Sequence, residues 1–162
     1  MAEVLGYASG TLNDGVCNID EIDFSHAIWT IPAARMKGEV LHRVPLGPRA
    51  IDILERQLDK SETGEGLFFP PRSRKPMTDM VLTEFLRDKK IASDTPGRPA
   101  TIHGFRSSFR DWGYSRDLAE RALAHTIKNA LDSAYHRTDL LEQRRAMVLE
   151  WKNFVLPQNP TG

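Results

Sequence analysis

Two periodicities meet at Gly47-Pro48, and the boundary between them limits the folds open to this chain. Before it stand short β-rich runs, Ile28-Trp29-Thr30-Ile31 and Leu41-His42-Arg43-Val44-Pro45-Leu46, separated by Arg35-Met36-Lys37-Gly38-Glu39. Such runs around a polar, Gly-containing stretch predict an antiparallel hairpin. Pro45 suits an edge position or a strand end, because proline cannot donate to a ladder. Beyond the boundary, apolar residues recur at three and four. Pro48 opens a helix whose buried stripe is Ile51, Leu54 and Leu58. Thr78 or Asp79 caps a second, running to Lys90 with Val81 or Leu82, Phe85 and Leu86 inward. A third begins near Thr101 or His103, with Phe105, Phe109 and Trp112 on its core face and His103, Arg106 and Arg110 on a basic face. Asp117-Leu118-Ala119-Glu120 reads as a capping box opening a helix toward His125, and another helix carries Tyr135. The last gathers Leu140, Leu141, Met147, Val148, Trp151, Phe154 and Val155, and Pro157 ends it. The expected class is α+β, mostly α-helical, with a small antiparallel sheet near the N-terminus.

At 162 residues the chain can build one sizeable core. Gly6, Gly10, Asn13-Asp14-Gly15 and Asn18 make residues 1–18 loop-rich, while Leu67-Phe68-Phe69 reads as a short buried segment before Pro70. No apolar run approaches the roughly eighteen residues of a membrane span, and Met1-Ala2-Glu3-Val4 does not open a signal peptide. Cys17 is alone, which excludes an internal disulfide and fits a reducing cytoplasm. The 22 basic and 22 acidic residues cancel. Their distribution does not: the first forty residues are acid-rich, and basic residues gather in Arg72-Ser73-Arg74-Lys75 and along Arg106, Arg110, Arg116 and Arg121. A bipolar molecule can present one basic face to DNA; mixed surface charge without a partner is the plainer alternative.

The last third sets out His103-Gly104-Phe105-Arg106, Leu123-Ala124-His125 and Ala134-Tyr135-His136-Arg137 in order. A phenol oxygen can attack phosphorus, a guanidinium can hold charge building on phosphoryl oxygens, and imidazoles can move protons. Taken singly, each residue has a plainer role. Tyr135 suits a half-buried helix position, His103 a helix start, Arg106 a surface ion pair, and His125 a helix C-terminus.

Together with Ile28-Trp29-Thr30-Ile31-Pro32, Arg35-Met36-Lys37, His42 to Leu46, Phe68-Phe69-Pro70, the Thr138-Asp139 that follows Arg137 and the ending Glu142 to Trp151, these motifs resemble the catalytic domain of tyrosine recombinases of the phage integrase family, as in prophages and genomic islands. The resemblance runs from about Ile19 to Val155 and places the domain at 19–156, between segment 1–18 and tail 157–162. It implies site-specific recombination through a 3′-phosphotyrosine, with no metal and no cofactor. Tyr135 would be the nucleophile, His103 its proton acceptor, Arg106 the clamp on the non-bridging oxygens, His125 a further donor, and Lys37 the acid for the leaving 5′-oxygen. His136 and Arg137 would position or lie at the surface. The implied partners are a double-stranded attachment site, other integrase subunits in a tetrameric synapse and a directionality factor; the implied location is the nucleoid in a bacterial cytoplasm.

The family has a second arginine three residues ahead of a glutamate. Glu3-Val4-Leu5-Gly6 resembles the text after it, which would put that arginine upstream of Met1. The expectation is therefore a truncated or decayed gene, or a misplaced start, with a rate lower by about 100- to 1000-fold for one missing donor. The alternative is an inactive remnant that binds DNA or docks its C-terminal helix on an intact integrase. A type IB topoisomerase is a third reading, opposed by small size.

Overall fold

The computed structural model describes residues 17–59, 79–112, 115–124 and 138–155. Three antiparallel strands lie in the order β1 (Ile22–Asp23), β2 (Ile28–Ile31) and β3 (His42–Pro45). Ile28 faces Pro45 and Ile31 faces His42, so Pro45 ends an edge strand as its missing N–H requires. Trp29 and Ile31 point inward while Ile28 and Thr30 are half-buried, the period of two expected of a sheet with one core face. The connection from β2 to β3 is not the purely polar tip expected. A short 3-10 helix, Ala33–Arg35, starts it, and Met36 is buried in the core.

Five helices follow among the described residues: α1 (Pro48–Leu58), α2 (Asp79–Asp88), α3 (Ile102–Asp111), α4 (Arg116–Ala122) and α5 (Leu141–Val155). Gly47 caps α1 and Pro48 fills its first turn, as read from the sequence. Two cores result. The first joins Trp29, Ile31, Met36 and Val44 of the sheet region to Ala50 and Leu54 of α1. The second joins Phe109 of α3, Ala119 and Ala122 of α4, Leu123 and Met147 of α5. Helix α5 packs on both β3 and α4, and so ties the halves together. Edge-on contacts of Trp151 with Phe109 and Trp112, at centroid distances of 5.4 and 5.3 Å, close the second core.

Several expected faces are rotated. The α1 stripe is Ala50 and Leu54, with Ile51 half-buried and Leu58 exposed. On α2, Leu86 is buried and Leu82 half-buried, whereas Val81 and Phe85 are exposed. The inward stripe of α3 is Ile102, Arg106 and Phe109, so Arg106 leaves the polar face assigned to it and Phe105 leaves the core face. Asp117 is no cap: Ser115 precedes α4, and Asp117 accepts from Arg121 Nε at 2.9 Å one turn on. On α5 the buried residues are Arg144, Met147 and Val148, while Phe154 and Val155 are exposed. No described helix is long and apolar enough to cross a membrane. Residues 1–16, the Leu67-Phe68-Phe69 and Arg72 to Lys75 segments, the Tyr135 helix and Pro157 lie outside the described residues.

Candidate active site

Helix α3 sets the first two site residues. Thr101 Oγ1 accepts from Gly104 N at 3.0 Å, which fixes the first turn and with it the phase of the helix. In that phase His103 is exposed and Arg106, one turn later, faces inward at 8% exposure. Arg106 Nη2 donates to Leu123 O at 3.0 Å. That carbonyl acceptor fixes the direction of the guanidinium.

The residues before His125 are held from several sides. Ala124 adopts a left-handed φ of 51° as α4 ends, and its N–H bonds Arg121 O at 3.1 Å. His42 of β3 reaches the same turn, with Nε2 at 3.2 Å from Ala122 O, a contact that assigns the proton to Nε2. Burial, then the charge of Arg144, pulls the His42 imidazole down to about 4, so it is neutral at physiological pH. A neutral ring is what a donor beside two guanidinium groups must be.

Thr138 and Asp139 are held as firmly. Arg121 Nη1 donates to Thr138 O at 2.9 Å. Arg43 grips the Asp139 carboxylate with its fork, Nε to Oδ2 at 2.7 Å and Nη2 to Oδ1 at 2.8 Å. Arg144, at 1% exposure, donates from Nε to Asp139 O and from Nη1 to Arg43 O, both at 2.7 Å. Burial raises the Asp139 carboxyl, but the Arg43 hydrogen bonds and the charges of Arg144 and Arg43 outweigh it and hold it below the usual carboxylate range. The described residues that flank 125–137 in the chain are thus held on both sides; His125, Tyr135, His136 and Arg137 themselves lie outside the described residues.

Lys37 is exposed on the β2–β3 connection, immediately after the buried Met36. Arg110 and Arg116, read as part of a basic face, contact Asp111 at 2.9 Å and Glu120 at 3.9 Å. Cys17 is buried, and that burial, then the Glu21 carboxylate, pushes its thiol up to about 12, away from the thiolate form. The positions passed over in the sequence are His42, Arg43, Asp139 and Arg144. Arg144 carried a signal, because it stands four residues after Leu140 and three before Met147, a charge set in an apolar stripe.

The phage integrase family matches residues 16–140. Prophage integrase IntA of Escherichia coli K12 is 39% identical over 142 residues, 84% of this chain and 33% of that protein. Putative protein IntB of the same strain is 34% identical (83% and 38%), and the integrase of Enterobacteria phage P4 is 32% identical (84% and 35%). The chain therefore spans about a third of the length of these relatives. The crystal structure of XerA recombinase shares the fold at a TM-score of 0.56 and 17% identity, covering 98% of this chain and 58% of that one.

Proposed function

The chain belongs to the phage integrase family, and on that premise we propose that it is the catalytic domain of a site-specific DNA recombinase acting through Tyr135. The phenol oxygen bonds to the scissile phosphorus as the P–O5′ bond breaks, leaving a 3′-phosphotyrosine. His103 accepts the phenolic proton and Lys37 gives a proton to the departing 5′-oxygen. Arg106 and His125 donate to the non-bridging oxygens as charge builds there. Strand transfer reverses these steps with another 5′-hydroxyl, so the energy of the broken bond is kept and no cofactor enters.

The observation that carries this reading is the Arg106 to Leu123 hydrogen bond. It couples the helix bearing His103 and Arg106 to the turn leading into His125, which are the groups one phosphate would have to meet together. The hold of Arg43, Arg121 and Arg144 on Thr138 and Asp139 supports it from the other flank. The substrate would be a duplex attachment site in the bacterial cytoplasm, the partners other integrase subunits and a directionality factor, and the catalytic unit residues 19–156.

A nicked duplex that traps the covalent intermediate tests this. The wild-type chain is expected to form an adduct and Tyr135→Phe none. An adduct that survives the substitution rejects Tyr135 as nucleophile. No wild-type adduct, with duplex binding that weakens as salt rises, would instead favour an inactive binding remnant. For that second reading the exposed Phe154 and Val155 at the end of α5 offer a contact surface, although Met147 and Val148 are already buried within this chain.

A further inference from the structure

We propose that Glu21 and Arg35 are positioning residues for Lys37, a role that rests on the reading of Lys37 as the acid for the leaving 5′-oxygen. Glu21 ends a 3-10 helix, Ile19–Glu21, and its carboxylate is buried. Donors from three directions converge on it. Trp29 Nε1 of β2 reaches Oε2 at 3.0 Å, Asn18 Nδ2 reaches Oε1 at 3.2 Å, and Arg35 Nη1 forms an ion pair with Oε1. The Arg35 and Glu21 side chains are only 14% and 7% exposed.

Arg35 stands two residues before Lys37, and Met36 between them is buried at 4% exposure. The backbone follows the same plan: Arg35 N bonds Pro32 O, Met36 N bonds Ala33 O and Glu39 N bonds Met36 O, each at 3.0 Å. Past this anchored base the connection turns outward, and Lys37, Val40 and Leu41 are exposed. The lysine therefore sits at the first exposed position past the buried Met36, directly after the anchored part of the turn.

Stability alone is a poor reason for this pair. Desolvating two charges offsets most of their attraction, and an apolar pair of similar volume would serve as well. What an ion pair adds is direction: an Arg35 held on a buried carboxylate fixes the path of the chain on either side. An acid for a leaving oxygen needs its Cα fixed and its side chain able to reach, and that combination is what residues 35–37 provide.

Two measurements on the full chain test the assignment. Amide hydrogen exchange at Arg35, Met36 and Glu39 is expected to quicken about tenfold in Arg35→Gln and Glu21→Gln, with residues 28–31 changing less than about twofold. Unchanged exchange at the turn, or equal quickening in both regions, overturns it. Cleavage is then compared on duplexes with oxygen or sulfur at the bridging 5′ position, since thiols ionise near about 8.5 and leave without a proton. Lys37→Ala should lose about 100-fold on oxygen and recover on sulfur. Arg35→Gln should lose roughly tenfold on oxygen and recover likewise, with Arg35→Lys intermediate. An equal loss on both substrates rejects positioning. If the wild-type chain makes no adduct on either substrate, the recombinase reading fails, and exchange at the turn alone still decides whether the pair holds it.

Discussion

The sheet half of this molecule buries a carboxylate, and the helical half buries guanidinium groups. In the first, Glu21 collects Trp29, Asn18 and Arg35, and the result is a fixed base for the turn bearing Lys37. In the second, Arg106 and Arg144 sit on the inward faces of α3 and α5 and donate to main-chain carbonyls, those of Leu123 and Asp139 between helices and that of Arg43 in the edge strand β3, with Asp139 also within ion-pair distance of Arg144. The difference follows from which groups each region leaves unpaired. A sheet edge entered by a 3-10 turn brings donors that need an acceptor, whereas helix ends and the turns between them expose carbonyls that need donors. Both devices fix non-regular chain beside the candidate site, where apolar packing alone would not set direction.

The comparison breaks first at Arg144. Arg144→Ala leaves Arg43 O and Asp139 O without their donor and opens a cavity under α5, so urea unfolding should show a loss of about 3–5 kcal/mol. The next largest effect is pH-dependent and lies at the seam, where His42 of β3 meets the turn after α4. His42 is held at about 4 in the fold against an ordinary 6.5, so between those values the unfolded chain takes up a proton that the native chain refuses. Stability should be intact above pH 6.5, decline as pH falls from 6.5 to 4, and lose about 3 kcal/mol from this residue in all. His42→Gln, which can still donate to Ala122 O, should flatten that limb of the denaturation profile. In the sheet half, Glu21→Gln keeps an acceptor for Trp29 but removes the charge facing Arg35, a loss of about 1–3 kcal/mol by the same urea assay. The smallest change calibrates the others. Lys90 is exposed, with a φ of 51° at the end of α2, so Lys90→Gly should stabilise by about 0.5–1 kcal/mol through the backbone.

Legibility differed between the halves in the same way. The β2–β3 pairing, the edge placement of Pro45 and the Gly47-Pro48 helix start were readable because alternation, proline chemistry and first-turn rules act within a few residues. The phase of α3 was misread for a physical reason. Phe105, Phe109 and Trp112 look like an apolar face, yet Phe105 is 39% exposed while the charged Arg106 lies buried beside Ile102 and Phe109. Apolar spacing treats a guanidinium as a surface group, and it is buried only when a fixed acceptor awaits it. At the candidate site, the motifs gave roles to Arg106 and His103, whereas His42 and Asp139 stood inside motifs with no role, because their partners lie 80 and 96 residues away.

By itself the sequence determined where strand gives way to helix, which chemical groups stand in which order, and the family to which the chain belongs. Tertiary structure decided which charges turn inward. Arg106 donates to Leu123 O 17 residues away, and Arg144 donates to Arg43 O 101 residues away as well as to nearby Asp139 O; over the two long spans no periodicity carries information. Periodicity is a property of the backbone repeat, whereas the burial of a charge depends on a carbonyl or carboxylate supplied by another element once the chain has closed.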